Sequence, residues 1–163
     1  MPEDQYISGI GGWLLFLIII LMLLAPATGL GKLTNEFQDA EKKFPLLAVN
    51  SQWIHYKQVS WLIFAVTAAV GFSAGYRLWK IHAAESVRFA ILALWISGPL
   101  GNFLYLVATL VIFGPRASAS AVPKMLGATM TSCIAAGLWT AYLTRSFRVR
   151  NTYKTSFSTG VIK

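Results

Sequence analysis

"WLLFLIIILMLLA", residues 13–25, runs for thirteen positions without one charged or strongly polar side chain. A strand of a membrane barrel alternates apolar and polar residues, and this run does not, which argues against that architecture. It suits a helix in lipid, where intrahelical hydrogen bonds alone can satisfy the backbone. No Asp, Glu, Lys or Arg falls between Gln5 and Gly31. Three further charge-free windows follow, Gln58 to Tyr76, Phe89 to Pro115 and Met125 to Thr144. Each is near or above the roughly 20 residues that cross a hydrocarbon core about 30 Å thick. These windows predict an all-α integral membrane four-helix bundle forming one domain over residues 1–163. Its spans are expected at about 12–30, 59–79, 89–113 and 125–143, with a basic tail over 145–163.

Composition agrees. The chain is 56% hydrophobic and 12% charged, with a mean hydropathy of +0.59. A soluble domain carries about 25% charged residues. The net charge of +8 comes from residues at the ends of apolar runs, where anionic lipid head groups account for it. No separate basic domain points to nucleic acid. Ala25-Pro26-Ala27 resembles a signal-peptidase site, but a signal peptide has a basic leader. Here Glu3 and Asp4 precede the run and no Lys or Arg comes before Lys32, which predicts a retained helix.

The first connection, Lys32 to Lys57, is 26 residues long. "TNEFQDAEKKF" (34–44) is expected as a short surface helix, capped by Asn35 and stopped by Pro45. "LLAVNSQWIHYK" (46–57) suits a segment lying at the membrane interface. Four spans place both termini on one side. That side holds Arg77, Lys80, Arg88, Arg145, Arg148, Arg150, Lys154 and Lys163, eight cations. The other holds Lys32, Lys42, Lys43, Lys57, Arg116 and Lys124, six. The excess, concentrated beside helix ends, predicts cytoplasmic termini.

Two short motifs flank the bundle. "GIGGWLLFL" (9–17) supplies glycines for a tight backbone turn and Trp13 as an anchor at head-group depth. "SFRVRNTY" (146–153) follows the last span, and Arg145, Arg148 and Arg150 are expected to meet anionic lipid of the cytoplasmic leaflet or an acidic partner. Together they resemble the opening and closing motifs of a YdgK-like family of bacterial inner-membrane proteins of unknown function. That family's tail usually has Arg-Val-Lys, and here Arg150 replaces the lysine. The resemblance implies a small four-span protein of the bacterial inner membrane and no particular activity.

Chemistry at depth requires ionisable groups at depth. The spans hold no carboxylate of the kind small multidrug exporters use. Cys133 is the single cysteine, so there is no pair for thiol oxidation, and in a span it serves as a small packing residue. The two histidines, His55 and His82, fall on opposite sides of the bilayer and cannot share a metal or haem. No cofactor, metal site or catalytic residue is expected, and the chain is read as a non-enzyme.

What remains are small-residue faces and one break. Thr67, Gly71 and Gly75 recur at every fourth position of the second span. Thr129, Cys133, Ala136, Gly137 and Thr140 form a similar stripe in the fourth. Such faces let membrane helices approach closely, within the bundle or against another protein. "ISGPLGN" (96–102) interrupts the third span. Pro99 lacks an N–H and should kink the helix, while Gly98 and Gly101 admit a neighbour and Ser97 and Asn102 offer partners to freed backbone groups. Asn102, Tyr105 and Thr109 continue as a polar stripe that belongs inside the bundle. The primary expectation is a non-catalytic accessory or scaffold subunit that docks to another integral membrane protein. The alternative is a small-solute or lipid-handling carrier built around the kinked third helix and Asn102.

Overall fold

The structure is a computed structural model that describes residues 9–118 and 121–153, and side chains for all of these but 116–118. Expectations for Glu3, Asp4, Arg116, Lys154 and Lys163 lie outside the described side chains. Four helices are long and apolar enough to cross a membrane: α1 (Trp13–Lys43), α2 (Ser51–Lys80), α3 (Ala84–Pro115) and α4 (Val122–Arg145). A short terminal helix, α5 (Phe147–Tyr153), follows. No strand occurs among the described residues. The fold is the expected all-α membrane bundle.

The first connection differs in detail. Residues 34–43 are helical, but as the last turns of α1 and not as a separate surface helix. Apolar spacing explains this: Leu33 and Phe37 continue the buried face of Leu14, Leu17 and Leu21. Gly29 does not break the helix because it packs on α2, where an added Cβ would lie 2.8 Å from Phe64 Cε2. Asn35 therefore sits mid-helix and caps nothing. The cap is Asn50, whose Oδ1 accepts from the Gln52 and Trp53 N–H groups at 2.8 and 3.3 Å. So α2 starts at Ser51, two turns before the apolar window, and the expected interface segment becomes its first turns. The helix α1 ends before Pro45, which opens a short 3₁₀ turn, Pro45–Val49. Gly114, with a φ of 77° that favours glycine, ends the regular part of α3.

Two π-helical turns lie near the middle of the expected spans, Ile20–Leu24 in α1 and Ile96–Leu100 in α3. Pro99 lies inside the second, and Pro26 follows two residues after the first. Pairing residues five apart carries a helix past a missing donor. The expected kink at Pro99 is thus absorbed as a π turn, with Ser97 Oγ donating to the Ala93 carbonyl at 2.7 Å.

The helices pack in sequence, α1 on α2, α2 on α3 and α3 on α4. Between α1 and α4 there is no comparable seam. They meet at their ends. Trp139 stands 6.4 Å from Trp13 and 6.3 Å from Phe16 by ring centroids. At the other end Lys124 pairs with Glu36 at 3.5 Å. The main core fills the half of the bundle nearest the chain termini, around Leu14, Leu17, Leu78, Val87 and Leu143. A smaller cluster of Leu33, Phe37 and Trp53 covers the opposite end.

The helix α5 folds back over the start of α1. Thr152 Oγ1 accepts from the Gly9 N–H at 3.0 Å. The Arg148 guanidinium covers Gly11, where an added Cβ would lie 2.7 Å from Nη1. The Tyr153 hydroxyl donates to the Leu78 carbonyl at 2.5 Å, and its ring stacks on His82 at 5.8 Å. Burial pushes the Tyr153 phenol up to about 12. The two motifs at the ends of the chain therefore touch each other. Arg148, expected at the lipid surface, is turned inward, whereas Arg145 and Arg150 are exposed and Arg150 lies over the Phe147 ring at 5.3 Å.

Candidate functional site

With the core confined to one half, the other half holds a half-open cavity of about 820 Å³ bordered by all four long helices. Its floor lies near the middle of the expected spans, at Leu21 and Ser97 of the two π turns and at Gly71, which packs on the Leu21 carbonyl. Nothing on α1 before Leu21 or on α2 after Gly71 lines it, so the packed core closes that end. Its mouth carries Lys32, Glu36, Asp39, Lys43 and Lys124.

The polar stripe of α3 forms one wall. Asn102 Nδ2 donates to Ser132 Oγ at 3.1 Å, tying α3 to α4. The Tyr105 hydroxyl donates to the Ser60 carbonyl at 3.2 Å, tying α3 to α2. The Thr109 hydroxyl donates to the Tyr105 carbonyl at 2.8 Å and stands 3.4 Å from the Tyr56 oxygen. On α2, Thr67 lines the cavity and donates to its own helix, to the Ile63 carbonyl at 2.8 Å. The stripe faces inward, and most of its donors are already engaged with protein acceptors.

An aromatic wall stands above it. Phe37 meets Trp53 edge-on at 5.7 Å, Trp53 stacks on Tyr56 at 5.7 Å, and Tyr56 approaches Phe113 at 5.3 Å. Behind it, Glu41 accepts from Trp53 Nε1 at 2.9 Å and from Lys57 Nζ at 2.7 Å. Those two donors, Lys57 foremost, hold the Glu41 carboxyl below its ordinary range.

The small residues divide between packing and surface. An added Cβ on Gly75 would lie 2.5 Å from Met22 Cγ and 3.3 Å from Leu21 Cβ, while one on Gly71 would sit 3.6 Å from the Leu21 carbonyl. The glycine face of α2 is thus occupied by α1. Gly98 faces Ser132, Gly101 faces Thr67, and Pro99 is buried between them. On α4, Cys133 is half-buried and Gly137 has open space beside it. Trp13 is 66% exposed.

His55, in the first turn of α2, and His82, beyond its end, are separated by about 40 Å of helix. Among the described residues no three His, Cys, Asp or Glu side chains gather at metal-binding distance. The aromatic wall and the lysines at the mouth went unrecognised as site residues in the sequence. The available signal was the Trp53, Tyr56, Ser60, Phe64, Thr67, Gly71 spacing, which carries the inner face of α2 two turns past its apolar window.

A family model described as "Protein of unknown function (DUF2569)" matches residues 7–154. No curated protein and no solved structure matches the chain.

Proposed function

The chain belongs to that DUF2569 family, a family of unknown function, and from that premise we propose a membrane carrier that holds a small solute or lipid-like molecule and does no chemistry on it. The observation that carries the proposal is the cavity, closed near the middle of the expected spans and bordered by charge at its mouth. Its volume lies within the range of about 300–1,000 Å³ typical of ligand sites. The π turns at its floor are a second support, since such turns concentrate at functional positions. Residence in a bacterial inner membrane with cytoplasmic termini is part of the proposal, supported by the cations beside the α2–α3 turn and α5. The cavity then faces the periplasm, and a C-terminal reporter fusion tests that orientation.

Ala128→Phe places a ring in the cavity from α4, on a residue that lines it. We expect at least a ten-fold loss of uptake or binding across a panel of solutes and lipids presented to proteoliposomes. Wild-type protein that moves and binds nothing in that panel removes the carrier.

Docking to another membrane protein has less support, because the glycine face of α2 is covered by α1. Gly137 and its open face on α4 are what remain for it. Co-purification of one defined partner at fixed stoichiometry in mild detergent would favour docking over carriage.

A further inference from the structure

We infer that the cavity takes a single-chain anionic amphiphile, such as a fatty acid, which enters sideways from the bilayer between α1 and α4. This rests on the carrier function proposed above and narrows its ligand class.

The route follows from the packing. Every other pair of consecutive helices shares a seam, but α1 and α4 are joined at their two ends and not between them. Pro26 and Gly29 of α1 face the same cavity as Met125 and Ala128 of α4. The unsealed stretch therefore leads from the acyl region of the bilayer into the cavity.

The depth selects the ligand's length. From Leu21 at the floor to Lys32, the first charge on α1, the helix rises about 16 Å. That is half of a hydrocarbon core about 30 Å thick, one leaflet. A molecule that already spans a leaflet fits with its polar end at the mouth. About 820 Å³ suits one chain better than two.

Charge selects the head group. Three lysines and two carboxylates stand at the mouth, a net excess of one positive charge. The charge nearest the apolar part is Lys32, one turn deeper than Glu36. A Lys stem can lie along apolar surface while its ammonium reaches a head group.

The polar residues of the floor do not oppose an alkyl chain. Ser97, Thr67, Tyr105 and the Asn102 amide donate to protein oxygens at 2.7, 2.8, 3.2 and 3.1 Å. An apolar neighbour is costly beside unmet donors, not beside these.

The test uses the full-length protein in dodecyl maltoside with 9,10-dibromostearate, whose bromines quench tryptophan on contact. Ala68→Trp, at a cavity-lining residue about 12 Å deeper than Lys32, sets an indole at the depth of the bromines and reports occupancy. Expected in Ala68→Trp is saturable quenching at one per chain, over the non-saturable background of the exposed Trp13, Trp61, Trp79 and Trp95. Lys32→Gln weakens it about ten-fold, the loss of one charge-assisted contact. The uncharged methyl ester binds at least ten-fold more weakly than the acid. Met125→Trp, which narrows the gap beside α1, slows association at least five-fold.

Equal affinity for acid and ester, or no effect of Lys32→Gln, overturns the anionic head group while amphiphile binding stands. Unchanged association in Met125→Trp overturns the sideways route. Absence of saturable quenching with acid and ester alike overturns the amphiphile altogether. In that last case, solute flux still sensitive to Ala128→Phe leaves the carrier standing, and loss of that flux removes it too.

Discussion

Gly71 and Gly75 stand one turn apart on the same side of α2 and differ in what a methyl group would meet. At Gly75 it would run into Met22 and Leu21, at Gly71 only an ordinary contact with a carbonyl. We expect Gly75→Ala to cost about 1–3 kcal/mol through overpacking, while Gly71→Ala stays within about 0.5 kcal/mol. Denaturant titration in detergent separates them, and equal effects would place the α1–α2 seam elsewhere. Asn50→Ala removes the side-chain acceptor that caps the first N–H groups of α2, an expected loss of about 1 kcal/mol. The glycine face was legible from spacing alone. Which glycine touches its neighbour was not, because that depends on the depth at which α1 crosses. The cap was misplaced at Asn35 for a related reason: the local signature of Asn before acidic residues is the same whether or not a helix already runs through it.

Among the elements, α5 is the one whose role changed most between sequence and structure. Its arginines suggested lipid contact, yet Val149 and Tyr153 are buried and Arg148 covers Gly11. A short basic helix looks the same on paper in either setting, and only the position of its apolar side against α1 and α2 decides. Its pH response follows from Tyr153, held neutral by burial. The folded pKa, about 12, exceeds the ordinary 10.0, so its contribution is complete below pH 10 and is lost as pH rises toward 12. Thermal melts of wild type across that window should fall more steeply than those of Tyr153→Phe, which also lacks the bond to Leu78. Parallel curves would show that the phenol is not so held. At the opposite end, Glu41 has the reverse sign. Its pairing with Lys57 and Trp53 stabilises above its ordinary 4.5 and is lost as pH falls below that value.

Taken whole, the molecule has one solid half and one hollow half. The four windows of uncharged residues sufficed for the number and order of the spans. The hollow was out of reach, since it arises from two helices distant in sequence failing to close on each other. With Cys133 replaced by Ala, a cysteine at Ala68, which lines the hollow, should react with a membrane-impermeant maleimide only from the His55 side. One at Ala93, fully enclosed in the solid half, should resist from both sides. Labelling of Ala68→Cys from both compartments would mean an open channel. A different consequence concerns synthesis. Gly9 rests on Thr152, 143 positions later. That latch cannot form until Thr152 has left the ribosome. Until then the segment leading into α1 waits in the bilayer or with an insertase, so this contact joins the bundle only after all four long helices have been made.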